Sequence, residues 1–506
     1  MNIIRLHDND NVAIAKNSIM KGQPLSANIT IIAKSDIPAM HKIALEPIGK
    51  GENIRRYNQL IGVATRCIEP GEHVHVHNCG LSNVQFDNGD FRTGYPAKLV
   101  DPANQQVFKG FRRKNSKAGT RNYIGILSTV NCSATVARQI ASAFQGTDIL
   151  NDYPNVDGVV ALTHTGGCSM LKGGPGYINL LRTLSGYVRH PNFGGILIIG
   201  LGCEVMQLGG LMDECGLDYT DMMRRLIIQE EGGTKKSLES GIKAVQEMLT
   251  TVNIAQRELI PVSEITLALQ CGGSDAFSGM TANPALGCAV DHLVHQGGTA
   301  ILSETPEIYG AEHLLASRSV SKEVTNALAE KILWWKDYTS KFGENIENNP
   351  SPGNKAGGLT TILEKSLGAV SKGGSTTLMG VYEYAEPIAS NGLVFMDSPG
   401  FDPVSVTGQV ASGATIVCFT TGRGSAFGFK PTPTIKLASN TPLYLRQLDD
   451  MDINCGRIAD GEDTIETMGG QIFERIITIA SGEKTKSEIL GYGDNEYTPW
   501  HVGPIL

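Results

Sequence analysis

From Tyr123 onward the chain repeats one pattern: an apolar run, a bare glycine-rich polar break, then in many intervals a stretch with helical spacing. The apolar runs are YIGILSTV, DGVVALTH, GGILIIGLG, EITLALQ, TAILSE, TTLMGVYEY, GLVFMD and TIVCFTT, and the helical stretches include SATVARQIASAF, GIKAVQEMLTTV and EVTNALAEKILWWKDY. Runs that are apolar throughout, rather than alternating, suit strands covered on both faces. The pattern therefore predicts an α/β fold built on parallel sheet. The unusual residues fall just after the strands, in NCSATV, HTGGCSM, GCEVMQ, CGGSDAFSG, ETPEIYG, DSPGFDP and TGRGSAFG. Ligands of open parallel sheets bind beyond the strands' carboxyl ends, so these loops are expected to form one rim. The 59 glycines concentrate at such breaks, where backbone turns tightly or approaches a ligand.

A length of 506 residues suggests about two to four domains. Residues 1–79 carry short alternating runs between Gly/Pro turns and read as a small all-β module. Residues 80–106 lack a period and read as a linker, 107–255 as a middle α/β domain, and 256–506 as a second α/β domain. A net charge of −8 leaves no basic footprint for nucleic acid or an anionic membrane surface. No run approaches the ~20 apolar residues of a membrane span, and the N-terminus has polar residues where a signal peptide carries its apolar segment. Ten cysteines without a CxxC pair are expected to be reduced thiols, so a cytoplasmic location is expected.

HVHVHN places His73, His75 and His77 at period two. On a strand the three imidazoles would share one face, spaced for a metal or an anionic substrate, or form a solvated edge. Cys132, Cys168, Cys203 and Cys271 each follow a predicted strand, whereas packing cysteines such as Cys418 lie mid-strand. They read as pocket-lining thiols, with iron ligation the alternative, since the clustered spacing common in iron–sulfur ligation is missing. Ser274 and Asp275 share the loop of Cys271 and are expected to face the ligand with it. Asp275, Glu304 and Glu307 form an oxygen-rich set suited to a divalent metal, although the glutamates also fit helix-start acids. His164 in LTHTGGC is an acid–base candidate or a structural histidine. Lys355 in NPSPGNKAGG and Arg423 in TTGRGSAFG present cations on tight backbone, suited to gripping a carboxylate. GLGCEVM and GRGSAFG miss the third glycine of the dinucleotide pattern, which weakens the reading as an NAD-dependent oxidoreductase.

In this order LHDNDNVA, HKIAL, GEHVHVHN, GTRNYIGIL, TVNCSATVA, LTHTGGC, IGLGCE, QCGGSDAFSGMTANPALG, NPSPGNKAGG and FTTGRG resemble the altronate/galactarate dehydratase family over nearly the whole chain. The resemblance implies an N-terminal β-clip of the SAF type, a linker, a middle domain and a C-terminal Rossmann-like domain. It implies a hydro-lyase acting on a small sugar acid and dependent on Fe2+ or Mn2+; the post-strand cysteines keep an iron–sulfur cluster as the alternative. A homo-oligomer, taken as a dimer, is expected. HVHVHN and LTHTGGC look like the altronate branch, so the expected reaction converts D-altronate to 2-dehydro-3-deoxy-D-gluconate and water in hexuronate catabolism. Galactarate dehydration, or another sugar-acid lyase activity, is the alternative. A related group carries the two ends as separate subunits and eliminates sulfite from sulfolactate. On this reading Asp275, Glu304, Glu307 and Cys271 sit at the metal, and His164, Asp275 and Cys271 take part in catalysis. Ser274, Lys355 and Arg423 hold the substrate, and a mobile β-clip carries His7, His73, His75 and His77 over the crevice as a lid.

Overall fold

All eight apolar runs form strands, divided between two parallel sheets. The computed structural model describes residues 2–26, 29–81, 93–114, 117–216, 218–220 and 222–503; residues 82–92 of the expected linker lie outside these. The smaller sheet holds β1 (Tyr123–Ser128), β2 (Gly158–Leu162), β3 (Phe193–Gly200) and β4 (Met223–Ile227), in the order β2-β1-β3-β4 and parallel throughout. Helices Ala134–Ser142 and Thr234–Val252 cover one face, where Ile140, Val245 and Met248 pack on Ile124, Ile126 and Leu197. Helix Pro175–Val188 covers the other face and shares a core with the second sheet.

That second sheet contains β5 (Thr266–Cys271), β6 (Thr299–Leu302), β7 (Leu378–Tyr382), β8 (Gly392–Met396), β9 (Ile416–Thr421), β10 (Thr434–Ala438) and β11 (Ile453–Asn454). Its order is β7-β8-β6-β5-β9-β10-β11, again parallel. Strands β4 and β10 were not expected, because arginines 224 and 225 and Lys436 interrupt their apolar runs. Lys436 is nevertheless buried, its ammonium donating to the Ser425 carbonyl at 3.0 Å and lying 3.6 Å from Asp450. The post-strand loops accordingly form two rims instead of one. Cys132, Cys168 and Cys203 follow strands of the small sheet, whereas Cys271, Glu304, Asp402 and Arg423 follow strands of the large one. An antiparallel ribbon, Val107–Gly110 against Glu258–Pro261, brackets the smaller α/β domain where the chain leaves and returns.

The N-terminal residues form short antiparallel strands of a β-clip. Its apolar residues, including Ile54, Ile61 and Val74, join the core under the large sheet. Two buried cations bolt it there. Lys42 Nζ donates to Glu364 Oε2 at 2.8 Å and to the Gly358 carbonyl at 2.6 Å. Arg56 donates to Glu364 Oε1 at 2.7 Å and to the Ala276 carbonyl at 2.6 Å. Charges removed from water are tolerated only when paired this closely. The β-clip, expected as a mobile lid, is docked here through these buried contacts. Among the described residues no helix is long and apolar enough to cross a membrane.

Candidate active site

Strand β5 ends at Cys271, and the neighbouring β6 runs into a tight turn in which Glu304 adopts φ 72°. A residue with a side chain takes this left-handed conformation only under constraint. Here the Glu304 amide donates to Ser398 Oγ at 3.0 Å and the Thr305 amide to the Ser398 carbonyl at 3.0 Å. The turn brings a carboxylate oxygen of Glu304, one of Glu307 and the Cys271 sulfur within 4.8 Å of one another. Two lysines close the group. Lys365 Nζ donates to Glu307 Oε1 at 2.6 Å and to Asn349 Oδ1 at 3.0 Å. Lys372 Nζ donates to Cys271 Sγ at 2.9 Å and lies 3.9 Å from Glu304 Oε2. Asp402, the first residue of helix Asp402–Ala411, crowds Gly272: a Cβ there would stand 2.4 Å from Asp402 Oδ2. Glycine is what admits this carboxylate. A cavity of about 460 Å³ is lined by Cys271, Glu307, Lys365 and Asp402, by Asn345, Asn348, Asn349 and Asn354, and by the rings of Trp335 and Phe401. Amides beside charged groups suit a small polyhydroxylated acid.

Burial and the adjacent Glu307 push the Glu304 carboxyl well above the ordinary carboxylate range. Burial works the same way on Glu307, but Lys365 overrides it and holds that carboxyl below the range. Burial and Glu307 together push Asp402 up to about 7. Burial pushes the Cys271 thiol up to about 11 against the pull of Lys372. Both lysines are kept above their ordinary value, the cost of burial being outweighed by Glu307 for Lys365 and by Cys271 for Lys372. Neither Glu304 oxygen has a hydrogen-bond partner, although the residue is 1% exposed. A buried carboxylate left so costs upward of about 1–3 kcal/mol, and two carboxylates with one thiol are a donor set chemically suited to a borderline divalent cation.

The profile described as D-galactarate/Altronate dehydratase, C-terminal, matches residues 262–505. Those for the second domain of D-galactarate dehydratase/Altronate hydrolase and for the Altronate/galactarate dehydratase SAF domain match residues 110–253 and 1–82. Altronate dehydratase of Bacillus subtilis (strain 168) is 37% identical over 488 residues, 96% of this chain and 96% of that protein. Altronate dehydratase of Escherichia coli (strain K12) is 35% identical over 489 residues, 96% and 97% of the two chains. Galactarate dehydratase (L-threo-forming) of the same strain is 38% identical over 490 residues, 95% and 93% of the two chains. The chain belongs to the D-galactarate/altronate dehydratase family. It is thereby a hydro-lyase of a sugar-acid family, and the two rims lie in its second and C-terminal domains.

Cys271, Glu304 and Glu307 come together in this dehydratase as expected of neighbouring strand ends. Asp275 does not join them. Its Oδ1 accepts from the Ser278 amide, Ser278 Oγ and Ser439 Oγ, each at 2.8 Å, and its Oδ2 accepts from Asn440 at 2.9 Å. A carboxylate with both oxygens so engaged is a fastener between loops, not a metal ligand. Ser274 is buried beside it, its carbonyl accepting from Asn354 at 2.8 Å. His164 belongs to the other rim. Its Nε2 lies 2.9 Å from the Ser128 carbonyl and its Nδ1 accepts the Gly166 amide at 3.1 Å, so neither nitrogen is left for acid–base work. It is a structural histidine, held neutral as burial lowers it to about 4.

The histidine row is strand only at His73–Val74; His75 to Asn78 is a turn closed by Asn78, whose side chain bonds the His75 amide and the His73 carbonyl at 2.9 Å each. The rings cluster nonetheless, joined by His41, whose Nδ1 is 2.9 Å from His73 Nε2. Burial lowers His73 to about 3 and His75 to about 4, so both are neutral at ordinary pH. His75 and His41 reach the carbonyls of Lys355 and Ala356 at 2.9 and 3.3 Å, in the helix whose Asn354 lines the cavity. They brace that wall from the β-clip. Lys355 and Arg423 stand near it, Arg423 exposed and tied by its amide to the Gly273 carbonyl at 2.9 Å. His7 is exposed at a turn, where its Nδ1 accepts the Asn9 amide at 3.0 Å. Lys365, Lys372, Asp402 and Asn349 were missed. Two of them lay in flagged stretches, Asp402 as an acid in the post-strand loop DSPGFDP and Asn349 as the first residue of NPSPGNKAGG.

Proposed function

We propose that this protein dehydrates D-altronate to 2-dehydro-3-deoxy-D-gluconate, using Asp402, Lys365 and Lys372 in the cavity at Cys271. Loss of water from a 2,3-dihydroxy acid requires removal of the C2 proton and departure of hydroxide from C3. The difficulty is the negative charge that collects on the carboxylate and C2 oxygen. The observation that carries the reading is Glu304, a buried carboxylate without a hydrogen bond beside Glu307 and Cys271. Those three residues would hold Fe2+, with Mn2+ as the second choice, and the cation would supply electrophilic stabilisation of that charge when bound. Lys365 and Lys372 keep their protons and add fixed positive charge to the same region. Asp402, poised at about 7, exchanges a proton with substrate near neutrality. Asn345, Asn348 and Asn349 orient the hydroxyl groups, and Trp335 and Phe401 restrict water. Altronate is favoured over galactarate by the His73, His75 and His77 motif and by two relatives of that name. We place the reaction in the cytoplasm and assign it to a homodimer, which light scattering would test.

The test is a parallel assay of altronate and galactarate with Fe(II) under reducing conditions, using the wild-type chain and Glu304→Gln. Altronate turnover that Glu304→Gln abolishes, together with loss of bound iron, is expected. Good galactarate turnover without altronate turnover overturns the substrate, and full activity of Glu304→Gln overturns the site.

A further inference from the structure

The rim of the smaller sheet carries three thiols that the reaction above does not use. Cys132, Cys168 and Cys203 are all exposed and reduced, although free cysteine is among the most buried residue types. They follow the carboxyl ends of β1, β2 and β3, three strands adjacent in the order β2-β1-β3, where parallel sheets bind ligands.

Their loops are laced together. The Asn131 amide donates to the Gly166 carbonyl at 3.0 Å, and the Val205 and Met206 amides donate to the Gly167 carbonyl at 3.1 and 3.2 Å. Thr129 Oγ1 donates to Glu204 Oε1 at 3.0 Å, while Glu204 Oε2 accepts the Gly202 amide at 2.7 Å. Gly167, at φ 97°, passes so close to β1's exit that a Cβ there would stand 2.2 Å from the Thr129 carbonyl. His164 pins the loop carrying Cys168 through Ser128 and Gly166. The result is a platform of three cross-linked loops, each carrying one exposed cysteine, with Gln229 Nε2 3.6 Å from Cys203 Sγ and Ser169 Oγ 3.9 Å from Cys168 Sγ.

The chemistry of three thiols on adjacent loops narrows the ligand. Among the described residues the set of three metal-binding side chains within 4.8 Å of one another is Cys271, Glu304 and Glu307, and the three thiols are not such a set. A single zinc ion, at about 2.3 Å from each sulfur, would need them closer than that. A cubane iron–sulfur cluster takes thiolates at wider spacing, one per iron. We propose that Cys132, Cys168 and Cys203 hold an iron–sulfur cluster whose remaining iron has no cysteine ligand. Such an iron can take a hydroxy acid or water as its ligand. This centre is separate from the Glu304 site and does not rest on the reading of that site.

The test is anaerobic reconstitution of the full chain with ferrous iron and sulfide, followed by desalting and assay of iron and acid-labile sulfide. Wild type and Cys271→Ser are expected to retain labile sulfide and a broad visible absorption that dithionite bleaches. Cys132→Ser, Cys168→Ser and Cys203→Ser are each expected to lose most of both. Where circular dichroism shows that a variant has not folded, the folded Cys67→Ser chain is alkylated before reconstitution; modification of the exposed thiols must then abolish sulfide uptake. Wild-type protein that binds iron without labile sulfide overturns the proposal. So does sulfide retention in the three variants or after alkylation.

Discussion

His164 does not stand where its neighbourhood in the sequence suggests, and Asp402, to which the sequence reading assigned no role, lines the cavity instead. Asp402 sits among Glu307, Lys365 and Gly272 with its carboxyl poised at about 7, whereas both nitrogens of His164 are committed to backbone groups. Asp402→Asn is therefore expected to lower kcat by about 10²–10⁴-fold, the usual contribution of a positioned acid or base, with bound metal retained. Steady-state kinetics and metal analysis on the same sample check this. His164→Ala removes two buried hydrogen bonds and leaves the Ser128 carbonyl and Gly166 amide unpaired. It should cost about 1–3 kcal/mol of stability, read by urea denaturation. Dehydration by the folded fraction should stay within a few-fold of wild type.

Strands, turns and helices matter here through what they hold at their ends. The β-clip strand containing Lys42 and the hairpin presenting Arg56 both terminate on Glu364, in helix Ile362–Val370, and that helix also supplies Lys365 to the cavity. Burial would raise the Glu364 carboxyl, yet Lys42 and Arg56 hold it at about 2. Glu364→Ala strands two buried cations and is expected to cost about 3–5 kcal/mol. Limited proteolysis should then release the β-clip first. Because the folded value lies below the unfolded value of about 4.3, the stabilisation is complete above that pH and is lost as pH falls toward 2. Glu364→Gln should flatten that part of the stability profile.

Two further groups make the whole molecule sensitive to milder acid. Burial holds both His164 and His190 at about 4, and His190 Nε2 reaches across to the Ala414 carbonyl at 2.9 Å, joining the two α/β domains. Unfolded histidine titrates near 6.5, so the unfolded chain binds more protons between pH 6.5 and 4. Stability must fall over that window, by on the order of 3 kcal/mol per residue. Denaturation midpoints at a series of pH values check it; a flat profile down to pH 4 would contradict neutral burial.

The eight apolar runs and the motif order were enough to read eight strands of the two parallel sheets and the family, because apolar periodicity is local and survives in the bare chain. Cys271, Glu304 and Glu307 were legible for the same reason, each following a strand. Sheet partnership is not local, so one expected rim became two. Lys365 comes from 58 residues beyond Glu307, and Lys372 from 101 beyond Cys271. Asp275 was misread because the partners that satisfy its carboxylate, Ser439 and Asn440, arrive from 164 and 165 residues away. Whether a charged side chain binds, reacts or merely fastens depends on which groups packing sets beside it.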